Sequence, residues 1–225
     1  MDDSRIWRCG ALVAALVLAP AFGAGRTSLE RLVPAQGLVP AHVEGLDLAY
    51  TRRGATLGAY DRILLDPVDV EFRRDWNPYR TGSSILLAGT DREALRAEAA
   101  QWVRDGFAPT LQQGGRYRLV HQPGPGVLRV RLHVVDLYLN NPGIPMAGRS
   151  RTFAASSGEI TMVAELSDAA SGEVVARLAD WEDMRHTGRL LPSNDTRTAS
   201  DVEEVASAWA HSLNNAFLPA RTADR

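Results

Sequence analysis

The chain has 225 residues, 45% of them apolar and 23% charged, with a formal net charge of −2. That is room for one domain with a sizeable core, or two small ones, and it excludes a largely disordered chain. Near-neutral charge also excludes a field that would draw in nucleic acid or an anionic lipid surface. All 25 basic residues are arginine, a usage that reflects a GC-rich coding bias, and the one cysteine is Cys9.

The N-terminus reads MDDSRIWRCGALVAALVLAPAFGAGR. A short head carrying Arg5 and Arg8 precedes an apolar run from Cys9 to about Gly25, and small residues around Ala19-Pro20-Ala21 offer cleavage sites. This is the layout of a secretory signal peptide. The run is too short, and too broken by Pro and Gly, for a comfortable membrane span. Residues 1–24 are therefore expected to be removed, with cleavage within 21–25, placing the mature protein in the periplasm. Asp2 and Asp3 offset the positive head, and an uncleaved anchor is the alternative. Cys9 lies before the apolar run, whereas a lipid-accepting cysteine follows it, so no lipid anchor is expected. Loss of Cys9 would leave no thiol for a disulfide or a metal.

Residues 25–58, punctuated by Pro34, Gly37, Pro40, Gly45, Gly54 and Gly58, read as an irregular lead-in. A single domain over 59–219 and a short tail, 220–225, follow. In YDRILLDPVDVEF (60–72), Val68, Val70 and Phe72 share one strand face, while Ile63 and Leu65 have the opposite parity. The phase flips at Asp66-Pro67, where a bulge or an edge position is expected because proline has no N–H to donate. Thr90-Asp91-Arg92-Glu93 is a capping box opening a helix with Leu95, Ala99, Trp102 and Val103 at helical spacing, which Gly106 is placed to end. Residues 116–121 and 127–139 read as strands, the second with Leu128, Val130, Leu132 and Val134 on one face and Arg129, Arg131 and His133 on the other.

The segment GEITMVAELSDAASGEVVARLADWE is a hairpin. Ile160, Met162, Ala164 and Leu166 alternate with Glu159, Thr161 and Glu165; Val174, Ala176 and Leu178 follow the turn. Asp168 can cap that turn, and Gly172 can supply a left-handed residue. Ser200-Asp201-Val202-Glu203 is a second capping box, opening a helix with an apolar stripe of Val202, Val205, Ala206, Trp209, Leu213, Ala216 and Phe217. The order β-α-β-β-β-β-α predicts an α+β fold: a two-layer sandwich in which two amphipathic helices pack on one face of a largely antiparallel sheet of about five strands. On the wet face, Arg129, Arg131 and Arg177 are expected to pair with Glu159 and Glu165.

Chemistry-bearing motifs are scarce in the chain. No nucleophile elbow, zinc-protease helix, phosphate loop or dinucleotide fingerprint is present. His42, His121, His133, His186 and His211 are scattered. Two acidic groups, Asp66/Asp69/Glu71 and Asp180/Glu182/Asp183, would suit carboxylate catalysis or a cation only if their oxygens converged. Ser156-Ser157 would need a base beside it. No catalytic residue, metal ligand or cofactor is assigned. The candidate binding residues are Trp76 and Tyr79, in a loop beside Arg73-Arg74, and Arg149, Arg151 and Phe153, in the stretch 140–158 that mixes arginine with apolar side chains.

In its ordered succession of YDRILLDPVDVEF, the alanine-rich capped helix, GVLRVRLHVVDL, the GEITMVAELSDAASGEVVARLADW hairpin and the closing helix, the chain resembles the family known as domain of unknown function 3313. Its members are bacterial envelope proteins that often carry a lipoprotein signal. The resemblance spans about residues 45–218 and is most specific at Tyr60–Phe72 and at the Asp168–Glu173 turn; neither is a catalytic signature. The layout is also similar, at the level of fold alone, to small α/β domains of periplasmic assembly and secretion lipoproteins. The expectation is a non-enzymatic envelope protein that binds a partner, another envelope protein, or supports an assembly. A small hydrolase or metal-dependent enzyme is the rival reading. A small-ligand carrier with a cavity lined by Trp102, Trp209 and Met162 is the third.

Overall fold

The structure is a computed structural model that describes residues 29–55, 57–76, 89–113, 115–140, 153–154, 156–185, 191–192 and 195–216. Its centre is a mixed sheet of eight strands: β1 (Val39–Ala41), β2 (Leu48–Thr51), β3 (Arg62–Leu65), β4 (Asp69–Phe72), β5 (Arg118–Leu119), β6 (Val127–Leu139), β8 (Ser156–Asp168) and β9 (Val174–Arg185). They lie in the order β1-β2-β9-β8-β6-β3-β5, with β4 also paired to β6. Two further short strands, β7 (Phe153–Ala154) and β10 (Leu191–Pro192), pair separately. Helices α1 (Gly89–Gln112) and α2 (Asp195–Ala216) cover one face.

The longer strands follow from their side chains. The parity flip at Asp66-Pro67 splits the first expected strand in two, and both halves pair in parallel with β6. Ile63, Leu65, Val70 and Phe72 all reach the core. The flip is absorbed where proline cannot join the ladder, while the Asp66 N–H still donates to Val130 O at 3.0 Å. Because α1 lies between β4 and β5, it forms the crossover that parallel pairing of β5 with β3 requires. The β8–β9 hairpin closes as its sequence predicts. The Asp168 carboxylate accepts the N–H groups of Ala170 and Ser171 at 3.1 and 2.8 Å, and Gly172 takes φ 76°.

The sheet is larger and more mixed than the expected five largely antiparallel strands. Part of the difference comes from the lead-in, read above as irregular. β1 and β2 form a hairpin whose second strand pairs antiparallel with β9. These strands are three and four residues long, too short for alternation to stand out between glycines and prolines. Upstream, residues 29–32 form a helical turn. Leu29 and Val33 are buried there against Leu48 and Ala179, a small second cluster on the side of the sheet opposite the helices.

Both helices run further than their end signals suggest. α2 starts at Asp195, so Ser200–Glu203 is helix interior and not its cap. Nothing in 195–200 breaks a helix, and burial of Thr198 rewards the extra turns. α1 continues through Gly106 because that glycine is the crossing point of the two helices. A Cβ added there would lie 2.2 Å from the carbonyl oxygen of Glu203. Around the crossing, the Thr110 hydroxyl bonds Gly106 O and Ser207 Oγ, both at 2.9 Å. The Asn214 amide donates to Thr110 O at 3.1 Å, a carbonyl that also takes the Gln113 N–H at 3.2 Å at the end of α1.

Gly106→Ala should reverse the usual sign of a helix substitution. Alanine gains about 1 kcal/mol of helix propensity, yet here the methyl meets backbone. The expected result is a net loss of about 1–3 kcal/mol, read from the midpoint of denaturant unfolding; a gain would show that the helices do not touch at this point.

Candidate functional site

Register places the polar positions of β6, β8 and β9 side by side on the outer face. His133 lies opposite Val163, Arg131 opposite Glu165, and Glu165 opposite Arg177. The side chains join into a chain of alternating charge. Asp66 accepts from Arg129 Nε at 2.8 Å and from Arg131 Nε at 3.1 Å. Arg131 Nη1 reaches Glu165 at 3.4 Å. Glu165 accepts from Arg177 Nε and Nη2 at 3.0 and 2.9 Å, and Arg177 Nη1 donates to Pro34 O at 2.6 Å. The expected Arg131–Glu165 and Arg177–Glu165 pairs are thus present. Arg129 turns instead to Asp66, across the parallel β3–β6 boundary. Glu159 pairs with Arg73 at 2.7 Å beyond the β6 bulge, where Asp136 holds φ 53°. Nearby, His133 Nδ1 lies 3.4 Å from Asp69.

Isolated exposed pairs of this kind contribute about 0–1 kcal/mol each. The chain of charge here differs in holding Asp66 at only 17% exposure between two guanidinium groups. At one end of this face the Arg73 guanidinium sits 4.1 Å above the Tyr138 ring and also pairs with Asp75. Trp181 is 47% exposed, and the strand registers that put it opposite Thr161 place it on this same face.

Trp76, expected in a loop and open to a ligand, is a core residue at 3% exposure. Its ring stacks on Phe72 at 4.2 Å, and its indole N–H donates to Leu139 O at 2.9 Å. The turn that follows β4 folds it back under α1, and burial with a satisfied N–H suits an indole better than a half-wet loop. Tyr79, Arg149 and Arg151 lie outside the described residues, as does the side chain of Phe153.

The two acidic groups do not form one site. Asp69 and Glu71 alternate with buried Val70 and Phe72, so they face outward, as Asp66 does through its arginines. Asp180 and Glu182 stand opposite Met162 and Ile160, on the helix side. The hydroxyls of Ser156 and Ser157 donate to Asp183 and Asp201 respectively. Among the described residues no three His, Cys, Asp or Glu side chains are placed to hold a metal ion. No helix among them is long and apolar enough to cross a membrane.

Asp180 is the residue whose setting the sequence reading missed. It is 4% exposed. One oxygen accepts the Trp209 indole N–H at 2.8 Å and the other accepts the Asp47 backbone N–H at 3.0 Å. Burial pushes its carboxyl up to about 7, the neighbouring charges of Asp47 and Glu182 add to the rise, and the two donated bonds oppose it. Glu182 is raised as well, by burial first and then by Asp47 and Asp183. A signal was available: Asp180 continues the phase of Ala176 and Leu178, so the alternation itself aims it inward.

With this geometry in hand, comparison with known proteins places the chain. The family model described as a protein of unknown function, DUF3313, matches residues 30–213. The chain belongs to that family. The match begins inside the lead-in, at the helical turn that lies on the outer face. Among solved structures, the chain is similar to a protein from Xanthomonas campestris assigned to DUF330. Identity there is 14% over 71% of this chain and 84% of that one, with TM-score 0.38. It is also similar to the PelC dodecamer of Paraburkholderia phytofirmans, at 12% identity over 71% and 94%, with TM-score 0.29. Likenesses this distant carry nothing about function. No curated protein matches the chain.

Two outcomes follow. Trp209→Ala should cost about 3–5 kcal/mol, the scale for a large buried aromatic. Trp209→Phe should cost about 1–3 kcal/mol, because it keeps most of the packing but strips Asp180 of a donor; urea melts of both variants check this. Asp66→Ala should lower stability by about 1 kcal/mol at low salt and by less at high salt, since it leaves two arginines facing each other. A loss that does not depend on salt would mean that packing, not charge, holds this face.

Proposed function

We propose that this protein is exported to the cell envelope and works there as a non-enzymatic binding or assembly-support module. One observation carries the reading: the outer face is an ordered array of paired arginines and carboxylates spanning β6, β8 and β9, most of them half-buried and Arg131 exposed, with the half-exposed Trp181 beside it. A face that is charged, held in register by its own ion pairs and furnished with an exposed indole suits recognition of a protein surface by charge complementarity. The acidic side chains that could have served catalysis are divided between opposite faces, which favours binding over hydrolysis as the use of this fold. The signal-like segment 1–24 supports export, and the mature chain would be periplasmic. The partner would be another envelope protein, and the segment 140–158, with Arg149, Arg151 and Phe153, would extend the contact surface beyond the sheet.

Three measurements test this. N-terminal sequencing of the protein from cells should find a start within 21–25; an intact Met1 in a salt-resistant membrane fraction would replace export with anchoring. Affinity capture from envelope extract should recover a partner with the native chain and lose it with Arg131→Glu, which reverses charge where the side chain is 46% exposed. Equal capture by both would remove the outer face from the reading. Replacing 142–152 by a short Gly/Ser linker should weaken capture while leaving thermal stability unchanged.

A further inference from the structure

Asp180 sits at a junction of three elements. Its own strand is β9, and Trp209 comes from α2. Asp47 comes from the turn between β1 and β2. That turn is also seated on α2: Val43 is buried, and the Ser212 hydroxyl donates to Gly45 O at 3.4 Å. The turn is tied to β9 a second time, because the Trp181 N–H donates to the Asp47 carboxylate at 3.2 Å. The β1–β2 hairpin in turn carries the outer-face turn at 29–33, which packs on Leu48 of β2 and Ala179 of β9. Asp180 is thus one of several ties, beside the β2–β9 ladder and the Ser212–Gly45 bond, between the core and the edge hairpin and, through it, the N-terminal segment.

The charges around that carboxyl are all of one sign. The turn presents Asp47, and its own strand presents Glu182. α2 presents the neutral Trp209 indole, and β8 presents Met162 at the paired position. Among the described residues no arginine or histidine pairs with Asp180. The neutral acid fits this setting. The charged form is cut off from water at 4% exposure, stands near the exposed carboxylates of Asp47 and Glu182, and gains full hydration only if the Asp47 turn lifts away.

We propose that Asp180 is a proton-controlled latch: protonated, it holds the β1–β2 hairpin and the 29–34 segment against the sheet; ionised, it loosens them and uncovers the Leu48–Ala179 strip of the outer face. The sign follows from linkage. The closed state binds a proton that the open, hydrated state releases near the ordinary carboxylate range. Opening is therefore rarest in acid, rises by up to about tenfold per pH unit between about pH 5 and 7, and levels off once the closed state is also ionised.

Hydrogen exchange of the purified protein, expressed as protection factors so that intrinsic exchange cancels, reads this directly. Protection over 39–51 and 29–34 should fall as pH rises from about 5 to 7 and then stay flat, while amides at 128–134 in β6 keep theirs. Asp180→Asn should remove the pH slope. Glu182→Gln changes an exposed side chain and keeps the fold even where the first variant does not. It should move the start of the plateau to lower pH, because it takes away one of the charges that hold Asp180 neutral. Three results would each overturn the latch: flat protection across the range, a slope shared equally by β6, or a slope unchanged in Glu182→Gln.

Discussion

Two long helices have to share one face of a twisted sheet, and the close approach of their backbones at Gly106 is what lets them do so. With no side chain at that position, α1 and α2 sit near enough to cover β4, β6, β8 and β9 together. Their stripes, from Leu95 to Leu111 and from Val202 to Leu213, then enclose one continuous core. Among the described residues no second layer covers the opposite face, so its residues have to solve their solvation by other means. They do it with guanidinium–carboxylate pairs in the middle and with Leu29 and Val33 at one margin.

How much of this was legible in the sequence depends on how far each signal reaches. Alternation in β6, β8 and β9 persists over a dozen or so residues, and from it follow the core positions and, of the expected arginine–glutamate pairs, those of Arg131 and Arg177 with Glu165. The β8–β9 turn was legible for another reason: Asp168 and Gly172 act within five residues of each other. The failures are long-range or too brief. β1 and β2 find their partner only in β9, and no local rule announces that. At Gly106 and Ser200 local chemistry signals helix ends that tertiary packing overrides. Trp76 reads as a loop residue because the turn that tucks it under α1 leaves no periodic trace. For the candidate site, strand phase places the arginines and glutamates outward, but the partners of Arg129 and Glu159, Asp66 and Arg73, come from the ends of strands whose register no local signal announces. The burial of Asp180 was implied by the same phase, but its acidic neighbours suggested a wet strand end.

Among the described residues, polar groups at the helix crossing are joined across it: the Thr110 hydroxyl meets Ser207 Oγ, and the Asn214 amide N–H donates to Thr110 O. Asp180 takes both of its donors from elements that are distant in the chain. Such groups add little net stability compared with apolar packing, but they penalise any alternative docking that leaves them unpaired. Helix-to-helix and helix-to-sheet registers are therefore fixed more sharply than by apolar stripes alone, which slide at small cost.

The pairing pattern also dictates an order of assembly. Glu165 and Arg177 are 12 residues apart, Asp66 and Arg129 are 63 apart, and Asp47 and Asp180 are 133 apart. Loop-closure entropy makes the hairpin the cheapest piece to form and the attachment of β1–β2 the most expensive. A chain delivered N-terminus first, whether from the ribosome or through a translocation channel, exposes its first two strands well before β9 arrives to receive them. Those strands are short, and β1 carries Pro40 at its centre. A waiting edge of that kind offers few free N–H groups to another chain, so the early segment stays unpaired without becoming a template for aggregation.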